Sequence, residues 1–185
     1  MRIAIFGGSF DPIHVAHVTV VKEALKTLDI DMLFVIPTYL NPFKSSFYLN
    51  PETRFELLKK VFKNFDKVQI CDYEINKQKT SYSIDTVNYL KSIYKPSKIY
   101  LIIGEDNLKK LEKWHEIDKL KETVEFVVAS RKGFESKKAK EFKNLDVNID
   151  ISSSELRDRI DLDYIPIEIK DDILNFQEKG KIFEY

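Results

Sequence analysis

Cysteine is nearly missing from this 185-residue chain: Cys71 stands alone, so no intramolecular disulfide can form, which fits a reducing compartment. Long apolar runs are missing as well. No stretch reaches the roughly 18 residues that a membrane span needs, and the opening MRIAIFGG is too short in its apolar part for a secretory signal. Nor is there an excess of charge: 30 lysines and arginines balance 30 aspartates and glutamates, and no basic motif interleaved with aromatics occurs. That argues against nucleic acid and an anionic membrane as partners. The expectation is a cytoplasmic protein. Glycine is sparse, with five residues, and its placement excludes two common phosphate loops. A Walker loop ends in Gly-Lys-Ser/Thr, but no lysine follows the glycines before Lys22; the dinucleotide fingerprint needs three spaced glycines, whereas Gly7 and Gly8 are adjacent with no third after them.

What remains is a globular composition, 43% apolar and 32% charged, long enough to bury a core without disulfides or metal. One domain over residues 1–185 is expected, with a helical C-terminal part at about residues 152–185. Apolar runs at 3–6, 32–36, 68–71, 99–103 and 124–129 read as buried strands, with a weaker one at 147–151. Between them lie helical stretches at 15–28, 52–65, 107–121 (broken near Trp114), 136–143, 153–160 and 166–179. A further helix, capped by Ser81 or Ser83, runs to about Tyr94. In the first helix Val18, Val21, Ala24 and Leu25 fall at helical spacing, and Asn50-Pro51 reads as cap and first residue of the second. Buried strands alternating with helices predict an α/β fold, a Rossmann-like, doubly wound parallel sheet covered on both faces. Gly7, Gly8, Gly104 and Gly133 follow strands and Gly180 ends a helix. In such sheets ligands bind beyond the carboxyl ends of the strands, where glycine lets backbone approach a phosphate.

The most specific stretch is GGSFDPIHVAH, residues 7–17. A helix beginning near His14 puts His14 and His17 on one face of its first turn, beside free backbone N–H groups and the positive end of the dipole. That is an anion site with two imidazole donors, and a neighbouring polyphosphate favours their protonated forms. Two other readings compete: surface histidines, or a zinc site for which third ligands are poor. Asp11 and Pro12 also read as plain turn residues. Later, Ser152-Ser153-Ser154 with Arg157 one turn on reads either as a second phosphate site capped by Ser153 or Ser154, or as a capped surface helix. Asp106 reads as a ribose acceptor or as a charge at a helix start, and the lone Trp114 as a stacking face or a core residue.

The segment GGSFDPIHVAH resembles the opening signature of the nucleotidyltransferase superfamily, G-G-S/T-F-D-P-x-H-x-G-H, in the form found in nicotinate-nucleotide adenylyltransferases. Four more segments follow in that family's order: IPTYLNPFK, TSYSIDT, IIGEDNLKKLEKWHEI and ISSSELRDRI. The resemblance implies an enzyme that transfers AMP from ATP to nicotinate mononucleotide in NAD biosynthesis, with Mg²⁺ carried by ATP. It implies catalytic roles for His14, His17 and Arg157. ATP contacts are implied for Gly7, Gly8, Ser9, Phe10, Gly104, Asp106, Ser130, Arg131, Ser152, Ser153 and Ser154. Lys44, Tyr82, Ser83, Thr86 and Trp114 would meet the acceptor. Two residues depart from the family pattern: Ala16 replaces its second motif glycine, and Phe43 stands where a histidine commonly precedes Lys44. Nicotinamide mononucleotide or phosphopantetheine as acceptor, and a non-catalytic nucleotide-binding regulator, are the alternative readings. The sequence leaves oligomeric state open, a homodimer included.

Overall fold

The computed structural model describes residues 1–42, 44–131 and 141–178, with Arg131 described by its backbone. Its elements run β1 (Arg2–Gly8), α1 (Val15–Thr27), β2 (Met32–Pro37), α2 (Pro51–Phe62), β3 (Val68–Ile70), α3 (Tyr73–Asn76), α4 (Ser83–Tyr94) and β4 (Lys98–Gly104). Then come α5 (Glu105–Leu108), a 3₁₀ turn at Leu111–Lys113, α6 (Ile117–Thr123), β5 (Glu125–Arg131) and β6 (Lys143–Val147). The chain closes with α7 (Ser153–Asp158), 3₁₀ turns at Leu162–Tyr164 and Ile167–Ile169, and α8 (Lys170–Glu178). All six strands pair in parallel, in the order β3-β2-β1-β4-β5-β6. This is the doubly wound α/β arrangement expected from the alternation of elements.

Strand pleating sorts the core into two layers. Ala4, Phe6, Leu33, Val35 and Ile102 face one side, where α1, α2, α7 and α8 cover them. Ile3, Ile5, Phe34, Ile36 and Leu101 face the other, under α4, α5 and α6. The chain therefore leaves β1 on one side of the sheet and returns to β4 from the other. Strand order reverses between these two strands, and a crevice opens beyond their carboxyl ends. Among the described residues no helix is long and apolar enough to cross a membrane.

Several boundaries differ from the sequence reading. In α1 the buried stripe is Ala16, Val20, Val21 and Ala24, with Val18 and Leu25 only partly covered at its edge. Helix α2 stops at Phe62, short of residue 65. Helix α4 is capped by neither Ser81 nor Ser83; Tyr82 holds the cap position with extended backbone and no side-chain bond. The 107–121 region is broken as expected, at Glu116, whose left-handed backbone (φ 51°) starts α6. Strand β6 lies at Lys143–Val147, four residues before the expected 147–151. That moves Lys143 out of the expected 136–143 helix, the remainder of which overlaps residues outside those described, as do Gly133, Phe43, Lys179 and Gly180. The glycines end strands β1 and β4 instead of following them.

Candidate active site

Everything at the crevice starts with the turn out of β1. A Cβ on Gly8 would lie 3.1 Å from the Phe10 ring, so glycine here makes room for an aromatic side chain as well as for an incoming ligand. Phe10 itself has left-handed backbone (φ 47°) and is buried. Its ring packs edge-on against Phe6, centroids 5.4 Å apart, and against His17 at 4.9 Å. The Asp11–Pro12 peptide is cis. Asp11 is more than a turn former: its buried carboxylate accepts from the Tyr48 and Leu49 N–H groups at 2.8 and 2.7 Å, pinning the loop that follows β2.

His14 is the cap residue of α1 and His17 its third residue. Their rings stack at 3.7 Å with a 26° tilt. The His14 backbone N–H donates to His17 Nδ1 at 3.3 Å. That bond leaves Nε2 as the donor nitrogen of neutral His17. No acidic side chain occupies the first turn of α1, so the dipole's positive end there is not neutralised by its own helix.

The C-terminal motif meets this turn across 141 to 146 residues of sequence. Ser153 Oγ donates to the Pro12 carbonyl at 3.0 Å, and Arg157 donates to the Asp11 carbonyl and to Ser154 Oγ, both at 2.8 Å. The cap of α7 is Ser152, in a reciprocal bond set with Glu155, and not Ser153 or Ser154 as the sequence suggested. Ser152 spends its hydroxyl there. Arg157 also acts on Lys44, whose pKa is held below the usual lysine range by burial of the ammonium first and the Arg157 charge second, although the residue as a whole is exposed.

These elements enclose a cavity of about 710 Å³. It brings together Gly7, Gly8, Ser9, Phe10, His14, His17, Lys44, Tyr82, Ser83, Gly104, Asp106, Trp114, Ser153 and Ser154 from the sequence reading. The methyl group of Ala16 also faces into it. At one end, a Cβ on Gly104 would sit 2.5 Å from Asp106 Oδ1, so glycine admits the folded-back carboxylate. At the other end Tyr82 and His115 rings lie 4.5 Å apart, next to Trp114 on the wall.

Four expected site residues do not line the cavity. Arg157 stands behind Ser154, Ser152 serves the cap, and Ser130 Oγ donates to Asn144 Oδ1 at 3.0 Å. Thr86 is buried, its hydroxyl donating to Glu74 Oε1 at 2.6 Å. The Arg131 side chain lies outside the described residues.

Sequence reasoning missed three supports. Arg54 is 2% exposed, and its guanidinium donates to the carbonyls of Ser9, Thr38, Tyr39 and Leu49 at 2.7 to 3.0 Å. It ties the β1 turn to the loop after β2. Its signal was readable, since an arginine occupies a core position of α2, in line with Leu57, Leu58, Val61 and Phe62. Asp11 and Glu74 are the other two, and Glu74 carried no signal, lying in a four-residue helix.

Residues 5–159 match the cytidylyltransferase-like family. A relative in Aliarcobacter butzleri named "Probable nicotinate-nucleotide adenylyltransferase" is 62% identical over 181 residues, 98% of this chain and 99% of its own. One of the same name in Nitratiruptor is 49% identical, covering 95% and 98%. Among solved structures, the Plasmodium falciparum nicotinic acid mononucleotide adenylyltransferase complexed with NaAD superposes with a TM-score of 0.77 at 25% identity, over 95% of this chain and 96% of that one.

Proposed function

The chain belongs to the cytidylyltransferase-like family and, within it, to the nicotinate-nucleotide adenylyltransferases, and from that premise we propose that it transfers the adenylyl group of ATP to nicotinate mononucleotide. In this reaction an acceptor phosphate oxygen bonds to the α-phosphorus of ATP while the bond to the β-phosphate oxygen breaks. Pyrophosphate departs with the electron pair, and deamido-NAD remains. Such chemistry requires alignment and charge stabilisation, with no covalent link to the protein.

The observation that carries this reading is the stacked His14–His17 pair on the wall of a cavity at the strand-order reversal. His17 Nε2, with Nδ1 held by the His14 N–H, donates to the α/β-phosphates and strengthens as charge moves to the leaving group. Ser154, whose Oγ accepts from Arg157, keeps its hydroxyl proton for the same phosphates, Arg157 positions it while adding positive potential, and Ser153 ties α7 to the β1 turn through the Pro12 carbonyl. Asp106 accepts from the ATP ribose. Trp114 and Tyr82 frame the pyridine ring, Ser83 lies beside it, and Lys44 pairs with the acceptor phosphate.

Nucleotidyltransferases generally act on a triphosphate complexed to a divalent metal. Among the described residues no group of three His, Cys, Asp or Glu could hold one. Mg²⁺ that enters on ATP phosphates and keeps its own waters would need few ligands from the protein. When bound it would supply positive charge that offsets the charge of the triphosphate.

Pyrophosphate release from ATP with nicotinate mononucleotide, compared with the nicotinamide and phosphopantetheine acceptors, tests the reading. The highest kcat/KM is expected with the nicotinate acceptor. ATP binding without pyrophosphate release for any acceptor would instead support a nucleotide-sensing protein.

A further inference from the structure

Glu74 is 5% exposed yet lines the cavity to which Tyr82, Ser83 and Trp114 also contribute. One carboxyl oxygen, Oε1, accepts the Thr86 hydroxyl at 2.6 Å. The other, Oε2, has no hydrogen-bond partner among the described residues, and neither does the hydroxyl of Ser81, 6% exposed on the same wall. A buried polar atom without a partner costs free energy, and both of these residues lie on the cavity lining. A carboxylic acid proton on Oε2, or a negative charge shared across the carboxylate, therefore faces the acceptor through protein of low polarity.

We propose that Glu74 is a specificity-determining residue for the acceptor: protonated, it lets an acidic pyridine mononucleotide sit against this wall, and ionised, it selects against the acid in favour of the amide. The inference rests on the acceptor reading given above. Burial pushes the Glu74 carboxyl up to about 7, against the opposing pull of the Thr86 bond and the Lys77 charge. Both forms are thus populated near neutral pH. A nicotinate acceptor carries one negative charge more than its amide. Its binding favours the protonated form, so the protein takes up a proton, and its affinity falls as pH rises through the titration.

The surrounding charges are Lys77 after α3, Asp85 on α4 and the Cys71 thiol before α3. Strand β2, which packs on α3, brings none. Other titratable residues on the cavity lining include Lys44, Lys113, Asp106, His115 and the two histidines of α1. The α1 histidines and the acceptor phosphate act on both acceptors alike and cancel in a ratio. His115 is present in both wild type and the Glu74→Gln variant, so comparing the two isolates the contribution of Glu74. Glutamine keeps an oxygen to accept from Thr86, so the local fold is retained.

The experiment measures kcat/KM for nicotinate and nicotinamide mononucleotides from pH 6 to 8.5 in the intact protein. In wild type the acid-to-amide ratio should fall about tenfold if acid binding moves the Glu74 pKa by about one unit. In E74Q the part of this fall that Glu74 causes should be gone, leaving a clearly smaller slope. A wild-type ratio that does not change with pH, or a slope as steep in E74Q as in wild type, overturns the inference. Turnover with neither acceptor would refute the proposed function instead. Calorimetry of acceptor binding to wild type at pH 7.5, in two buffers of different ionisation enthalpy, needs neither turnover nor a variant. Net proton uptake with the acid and none with the amide supports the role of Glu74, and equal uptake with both overturns it.

Discussion

At His17 one ring serves two tasks, holding the cap of α1 through Nδ1 and presenting Nε2 to the cavity. If His17 holds the reacting phosphates as proposed, replacing it with alanine removes a charge-stabilising donor, so kcat should fall about 10²–10³-fold, with a much smaller change in the KM for ATP. Turnover within a few-fold of wild type would exclude His17 from the transition state. Glu74 makes a different prediction, about stability. Its ordinary value of 4.5 rises to about 7 in the folded chain. Between those values the folded protein holds a proton that the unfolded chain has released. The resulting stability is present in full below about pH 4.5 and is lost as pH rises through about 7, a change of up to about 3 kcal/mol. Urea midpoints at pH 5 and pH 8 check this. The drop between them should shrink in E74Q, and an unchanged drop would assign the pH dependence to other groups.

Arg54 works at the scale of elements, because one guanidinium joins the β1 turn, the end of β2 and the start of α2. Methionine at this position would fill the volume and strand four carbonyls, at a cost of at least about 3 kcal/mol. Chemical denaturation should show that loss, and a value within about 0.5 kcal/mol of wild type would mean that water takes over the carbonyls. Elements of this length were the ones legible in the sequence: β1, β2, β4 and β5 are continuous apolar runs, and Asn50 caps α2 through the Thr53 N–H as Asn-Pro suggests. Strand β6 was placed too late for a physical reason. Only Leu145 and Val147 are buried in it, and Ile149 and Ile151 extend the same alternation past its end, so period-two patterning carries no stop signal. Helix α3 is four residues long, below the span in which helical periodicity exists. Of the site, the motif residues that line the cavity were readable from their types and spacing. The ties beneath them, Asp11 to residues 48 and 49 and Thr86 to Glu74, pair residues 12 to 38 positions apart and leave no local pattern.

For the molecule as a whole, the cavity joins parts of the chain that are otherwise far apart. Its walls come from the β1 turn, the loop after β2, the α4 start, the β4 end and α7, and α7 reaches the first turn through Ser153 and Arg157. A nucleotide filling this cavity would touch both halves of the sheet and both ends of the motif series. Its binding energy should then oppose global unfolding and not only local opening. With ATP at one hundred times its dissociation constant, linkage adds about 2.7 kcal/mol. For a chain of this size each kcal/mol raises Tm by about 2–4 °C, so a rise of about 5–10 °C is expected, seen as one transition. Arg157→Ala should weaken ATP binding, because Ser154 loses its partner and α7 loses one of its two ties to the β1 turn. At the same fixed ATP concentration its Tm rise should be smaller than that of wild type. Differential scanning calorimetry with and without ATP reads both quantities. A second, ATP-insensitive transition in wild type would mean that the halves unfold separately and that the nucleotide bridges only one of them.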